Sequence, residues 1–528
     1  MMKKAIKKLL AALLAVAMVC AMAIPAFAYN PGETKEDLNT KHDYGAFQIF
    51  KGVISKDNPT LSDVDWGQNI TEPDIFLANL KNDPTIGEKF ETAATAQDVL
   101  AVISKWHDSD DNSIAFARVV CHYLYPDANA NPTPVATDHT GGINIPKSGY
   151  YLIVDTSTFS DDDFYHAYNS FFLLNVPQTP YVVLVNHKVV KPTVEKEVYD
   201  NNDIGSTGGW GSSADHAINE PFQFRLIAKL PASENNGRAY DYYKEYAVCF
   251  TDTLSDGITF DKLDTVEITN GDGSTPQEIN NYTLDPNNPQ SSFKLSIDDV
   301  KTCVPDLNKG ATITVTYTAH LNEKAYVNTV GGGTDNKNSV YLEYSNNPRI
   351  STSLDHTTTS EVCVYTYQLN NTKHQDSENG PVLEGAGFRL YSNEACNAED
   401  EIKLKMNDDG TYSRDFSTEG KGVEMLSNKD GQFNVKGLDA GTYYLKETTP
   451  PTGYSACANK EIVISATHDV NHVDLSGNLS TTIINKKAGG ITLPSTGGIG
   501  TTIFYVVGGG LMVAAIVLLV TKKRMENK

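Results

Sequence analysis

The stretch ATITVTYTAHL (Ala311–Leu321) decides the fold. Ala311, Ile313, Val315, Tyr317, Ala319 and Leu321 occupy alternate positions, and threonines fill most of the places between them. Successive side chains of a β-strand point to opposite faces, so this pattern predicts a strand with one buried and one solvated side. FQFRLIAKL (Phe222–Leu230) repeats it, with Phe222, Phe224, Leu226, Ala228 and Leu230 on one face. Turn-rich segments such as NGDGSTP and DPNNPQ separate the strands. Strict alternation punctuated by such turns is the pattern of a β-sandwich.

The same alternation places ionisable groups among the apolar ones. In KPTVEKEVY (Lys191–Tyr199), Lys196 is in phase with Pro192, Val194 and Val198. In YAVCFTDTL, Asp252 shares a face with Tyr246, Val248, Phe250 and Leu254, and in NSVYLEY, Asn338 shares one with Val340, Leu342 and Tyr344. A second set follows. Lys373 is in phase with Tyr365, Tyr367 and Leu369, Glu447 with Tyr443 and Leu445, and Asn485 with Ile483. A buried unpaired ammonium or carboxylate costs several kcal/mol, so such groups pair or become neutral. Burial lowers a lysine pKa and raises that of an acid. A neutral amine held beside a carboxamide can attack its carbon, expel ammonia and leave a Lys–Asn isopeptide bond. Asp252 and Glu447 would be the catalytic acids of this single-turnover step, shuttling the proton and stabilising the oxyanion. Parity alone favours an ordinary buried salt bridge or hydrogen-bonded cluster, because a one-residue slip in register reverses every assignment.

At 528 residues the chain predicts several domains. Lys3, Lys4, Lys7 and Lys8 precede an apolar run, and Ala26-Phe27-Ala28 supplies small residues for cleavage, so residues 1–28 read as a signal peptide. At the other end stand Leu493-Pro494-Ser495-Thr496-Gly497, an apolar stretch over 501–520 and a basic tail over 521–528. The stretch is long enough to cross a bilayer as a helix, and Lys522, Lys523 and Arg524 would hold the tail in the cytoplasm. The order of pentapeptide, span and basic tail resembles the cell-wall sorting signal of Gram-positive surface proteins, which implies sortase cleavage between Thr496 and Gly497.

Composition narrows the function. The net charge is −23, and removal of the four leader lysines together with the four basic and one acidic residues after Thr496 makes the exported part more acidic still. Such a surface repels nucleic acid and argues against an anionic ligand. Cysteines 121, 249, 303, 363, 396 and 457 remain after export, without CxxC spacing. Cys249 with Cys303, and Cys396 with Cys457, could pair within domains, but small buried hydrophobes are the favoured reading. No cofactor or metal is expected. His468 and His472 have helical zinc spacing, but their strand-and-loop context reads as exposed histidines. The acidic loop HDSDDNS (His107–Ser113) lacks a bidentate glutamate at loop position twelve and reads as solvated. No constellation supports enzymatic turnover.

YYLKETTPPTGY (Tyr443–Tyr454) is similar to the E-box of sortase-assembled pilins, with Glu447 at the glutamate position. Asn485, just upstream of a glycine-containing stalk, matches the final collagen-adhesin B-type domain of that family. KPTVEK, FTDTLSDGITF and NSVYLEYSNNP resemble the preceding domain of backbone pilins, and AFQIFKGVI with INIPKSGYYLIVDTS resembles the N-terminal domain. The resemblance implies a mainly β chain of tandem immunoglobulin-like, collagen-adhesin B-type sandwiches. An N-terminal β domain with a helical insertion would occupy 29–187. An isopeptide-forming sandwich over 188–360 and a prealbumin-like domain over 361–487 would follow, then a stalk and sorting motif over 488–500. It implies isopeptide pairs Lys196–Asn338 and Lys373–Asn485. It also implies a pilin-class sortase that passes the Thr496 acyl group to a lysine of an identical subunit, and a housekeeping sortase that passes it to peptidoglycan. Tip or base pilins are further expected partners. The family's acceptor lies in a Tyr-Pro-Lys motif; here the junction reads Asn186-His187-Lys188, so Lys188 is the expected acceptor and Lys191 the substitute. A further bond in the first domain would use Lys51, in phase with Phe47, Ile49 and Val53, with Asp155 and Asn175 or Asn186. The expected function is the shaft subunit of a covalent pilus, the alternative a monomeric wall-anchored adhesin for a host protein or glycan.

Overall fold

A computed structural model describes residues 42–525, apart from 55–60, 108–109, 128, 139–141, 158–170, 177–180, 185–190, 203–207, 234–236, 287–290, 329–335, 418–420, 478 and 489–498. The signal peptide, the sorting pentapeptide Leu493–Gly497, Asn186 and Lys188 lie outside the described residues.

Strands dominate, in three successive groups of sheets. In the first, Tyr44–Ile54 pairs antiparallel with Leu61–Trp66, Ala136–Asp138 and Gly149–Asp155, and Phe172–Val176 extends the sheet. Both faces of this sheet are covered. Phe47, Ile49, Leu152 and Val154 pack against the helices Pro73–Asn82, Ala96–Ile103 and Asp111–Leu124. Tyr44, Ala46, Tyr151 and Ile153 face the two-stranded ladder of Gly142–Ile145 and Tyr181–Leu184. A strand covered on both sides reads as a continuous apolar run, which is why AFQIF lacks alternation.

The second group is a sandwich. One sheet runs Gln277–Glu278, Ile258–Asn270, Ala311–Leu321, Pro221–Leu230, Thr193–Asp200, Gly209–Gly211. The facing sheet runs Ser213–Asp215, Ser360–Tyr365, Lys337–Ser345, Val248–Leu254, Phe293–Ile297, Thr283–Asp285. Phe222, Phe224, Leu226, Ile313, Val315 and Tyr317 from the first meet Val248, Phe250, Leu295, Val340 and Leu342 from the second in one core. Ala311–Leu321 alternates between buried and half-buried residues along its whole length, as its sequence predicts. Ser360–Tyr365 pairs inside this sandwich, so the turn at Thr366 is where the strands change group.

In the third group, Leu404–Met406, Tyr412–Arg414, Val435–Leu438, Tyr367–Gln375 and Ser480–Asn485 form one sheet. Glu401–Ile402, Gly387–Tyr391, Gly441–Thr449, Lys460–His468 and Val473–Gly477 form the other. Its first and last strands, Tyr367–Gln375 and Ser480–Asn485, lie side by side in parallel register, with Lys373 opposite Ile483 and Gln375 opposite Asn485.

A helix spans Ile499–Met525. Among the described residues, however, no helix is long and apolar enough to cross a membrane. The transmembrane expectation over 501–520 is therefore not supported. All six cysteines of the described chain are free thiols, and neither candidate pair is joined. Cys249 contacts Ser296 and Cys303 lies over the Asp299 carbonyl, while Cys396 accepts from Asn459.

Candidate functional site

Two clusters of ionisable side chains sit inside the second and third strand groups. In the second, Lys196, Asp252 and Asn338 are 2%, 0% and 0% exposed. Lys196 projects from one sheet. Asp252 and Asn338 project from adjacent strands of the facing sheet, diagonal to each other because Asp252 lies opposite Val340 and Leu254 opposite Asn338. Lys196 donates a short hydrogen bond to Asp252 Oδ2 and a second, 3.1 Å long, to the Tyr317 hydroxyl. That hydroxyl also accepts from Asn338 Nδ2 at 2.6 Å and donates to Asp252 Oδ1 at 3.3 Å. The Asn338 Oδ1 atom is buried without a hydrogen-bond partner. The rings of Phe224 and Tyr317 lie 5.2 and 5.3 Å from Lys196 Nζ, so the pocket is dry and aromatic-walled.

This environment pushes both ionisable groups toward neutrality. Burial pulls the Lys196 pKa down to about 8, against the opposing pull of Asp252. Burial raises the Asp252 carboxyl, although Lys196 and Tyr317 act the other way. Both shifts run toward neutrality, because the low dielectric penalises charge on either group.

In the third group, Lys373, Glu447 and Asn485 are 0%, 6% and 1% exposed. Lys373 Nζ donates to Asn485 Oδ1 at 2.6 Å, and Asn485 Nδ2 donates to Glu447 Oε1 at 2.6 Å. The Lys373 amine lies 3.8 Å from the same carboxylate oxygen. The other oxygen, Oε2, accepts from the Cys457 backbone N–H at 2.8 Å, which fixes the carboxylate plane. Phe388 lies 5.7 Å from Lys373 Nζ and stacks on Phe433. Burial lowers the Lys373 pKa, with Glu447 opposing. Amine, carboxamide and acid thus stand in a closed triangle.

The structure therefore brings together both sets of three that strand parity groups. It does not assemble the first-domain set. Lys51 is exposed and pairs with Asp65 at 2.9 Å. Irregular pairing after Lys51 breaks the alternation there, and Val53 is 61% exposed. Asn175 is exposed as well. Asp155 is buried, but with His42 at 2.6 Å and with the hydroxyl of Ser157. Tyr317, the bridge of the second-group cluster, is a residue sequence reasoning missed as a functional one. Its position on the apolar face was legible; its hydroxyl contacts were not. His468 is likewise not the exposed residue expected, since its side chain is only 6% exposed, whereas that of His472 is 67% exposed.

Residues 369–478 match a prealbumin-like SpaA domain, and residues 485–527 match the LPXTG cell-wall anchor motif. The chain carries a prealbumin-like domain and a wall-anchor motif. The anchor match supports a protein exported and attached to a Gram-positive cell wall, and the prealbumin-like match agrees with the pilin resemblance of the last domain. Several solved pilin structures align with it. A backbone pilin of Streptococcus pyogenes is 16% identical over 85% of this chain and 97% of its own, with a TM-score of 0.46. The major pilin SpaD of Corynebacterium diphtheriae is 21% identical over 65% and 80%, at 0.39. The major pilin RrgB of Streptococcus pneumoniae is 15% identical over 69% and 88%, also at 0.39. No curated protein matches the chain.

Proposed function

We propose that the chain is the shaft subunit of a covalent pilus, with two internal Lys–Asn isopeptide bonds and sortase-made bonds between subunits. The observation that carries the internal bonds is the contact of Lys373 Nζ with Asn485 Oδ1 at 2.6 Å, with Glu447 on the amide nitrogen. In the reaction, Lys373 gives a proton to Glu447 and its nitrogen attacks Asn485 Cγ. A new C–N bond forms, and the oxyanion is met by the protonated carboxyl. Glu447 then gives that proton to the departing nitrogen, the old C–N bond breaks and ammonia leaves, and the carboxylate takes up the excess proton of the new amide nitrogen. Lys196, Asp252 and Asn338 follow the same course, with the Tyr317 hydroxyl relaying between acid and carboxamide. The groups are consumed, so each site turns over once. Proximity supplies the rate, since an amine held in contact with one carboxamide has an effective concentration far above any in solution.

Between subunits, sortase would cleave after Thr496 and transfer its acyl group to Lys188 of the next copy, with Lys191 the alternative acceptor. The wall anchor supports sortase processing. Two measurements test the reading. Intact mass of the purified chain should be low by two ammonias, with Lys196–Asn338 and Lys373–Asn485 peptides joined in a digest. Wall extracts should show a ladder of covalent multimers. A full sequence mass removes the internal bonds, and a monomer alone removes the shaft in favour of a single adhesin.

A further inference from the structure

Three acids and a histidine converge where the second and third strand groups meet. Asp200 and Asp215, both fully buried, come from the second group; Asp439, 7% exposed, and His468 come from the third. His468 Nε2 lies 3.8 Å from Asp200 Oδ2 and 3.9 Å from Asp215 Oδ2, and one ligand atom of each of the three lies within 4.8 Å of the others. Two atoms bound to one ion at about 2.1 Å in tetrahedral geometry sit roughly 3.4 Å apart, so the histidine-to-acid pairs would close by about half an ångström and no pair by more than about 1.4 Å around a cation.

Two features of the cluster point to a ligand. First, Asp215 Oδ1 is buried without a hydrogen-bond partner. A bare carboxylate oxygen in a dry junction is costly, and a cation would satisfy it. Second, the surrounding contacts orient the donors. The Asp215 N–H donates to Asp200 Oδ2 at 3.3 Å, the Asn202 N–H to Asp200 Oδ1 at 2.9 Å, and Tyr367 to Asp215 Oδ2 at 2.8 Å. His468 Nδ1 meets the Ser213 hydroxyl at 2.9 Å, and with the ring proton placed there the Nε2 lone pair faces the acids. Outer contacts that fix tautomer and carboxylate orientation are the usual support of a metal centre.

We infer that Asp200, Asp215 and His468, with Asp439 beside them, form a divalent transition-metal site that clamps the second sandwich to the third. Carboxylates with one imidazole suit zinc or manganese; calcium takes oxygen ligands and makes little use of the ring nitrogen. The ion would neutralise a junction that otherwise buries three acids together. Because ligands come from both sides, binding would fix the angle between the two sandwiches.

The test uses the untagged full chain, stripped with a chelator and titrated separately with zinc and manganese. Uptake of one equivalent of either metal, measured by elemental analysis after buffer exchange, is expected, with a rise in unfolding temperature on loading. His468→Gln and Asp215→Asn should each abolish that equivalent. Tyr367→Phe, which removes only a supporting contact, should weaken it about 10–100-fold. Failure of the wild-type chain to retain either metal would overturn the site, whether or not the variants fold. Retention of the full equivalent in His468→Gln with Asp215→Asn combined would place the metal elsewhere and overturn it too. Neither outcome touches the isopeptide bonds, which are read by mass.

Discussion

Replacing Glu447 by glutamine keeps the shape of the third-group cluster and removes its proton acceptor. Lys373 and Asn485 are 112 residues apart in sequence. On the loop-closure relation used for disulfides, joining them would stabilise the fold by about 5 kcal/mol. Loss of that bond would lower the unfolding temperature of the unit by roughly 20 °C. A cluster with no covalent bond predicts a similar fall, because breaking one partner of a buried charged pair costs about 3–5 kcal/mol. Melting temperature therefore cannot separate the two accounts, and mass can. The wild-type chain should be lighter than its sequence by two ammonias, and Glu447→Gln by one. In a digest, the peptides holding Lys373 and Asn485 should be joined in the wild type and separate in the variant. If Glu447→Gln yields the joined peptide as completely as the wild type, the assignment of the acid is wrong; if the wild type shows the full sequence mass, the reaction does not occur.

Tyr317→Phe should slow or prevent the loss of ammonia in the second sandwich while leaving the third-group bond intact, read by the time course of mass in freshly folded protein; an unchanged course would reduce Tyr317 to packing. In Asn338→Ala, which cannot cross-link there, the depressed Lys196 pKa should make stability rise as pH increases from about 8 to 10, since over that range the unfolded chain binds the proton that the folded chain has lost. Chemical denaturation of Asn338→Ala against Lys196→Met/Asn338→Ala across that range isolates the effect, and equal slopes would contradict it. Lys188→Ala should abolish the multimer ladder in wall extracts; a ladder that persists there and disappears only in Lys191→Ala would move the acceptor three residues along.

Much of both clusters was legible because strand period is fixed. Once Ala311–Leu321 is read as half-buried, Lys196, Asp252 and Asn338 fall on inner faces by counting, and so do Lys373, Glu447 and Asn485. Counting failed where the period was broken or irrelevant. A pairing shift between Gln48 and Phe50 breaks the phase before Lys51 is reached, so parity with Phe47 and Ile49 misled. Lys373 counts in phase with Tyr365 as well as with Tyr367 and Leu369, but the chain changes sheets at Thr366, between the two tyrosines. The contact of Tyr367 with Asp215, and of His468 with Ser213, joins residues 152 and 255 positions apart in sequence. No local pattern announces a junction of that kind, since its chemistry depends on how two separately folded units meet.

The parallel seating of Tyr367–Gln375 against Ser480–Asn485 has a mechanical corollary. A pull on the chain enters the third unit through the first of these strands and leaves through the last. With Lys373 welded to Asn485, force would pass straight across, and everything spooled between them would hang slack. That intervening polypeptide would be free to vary, to carry surface decoration or even to be nicked by a protease, without parting the fibre.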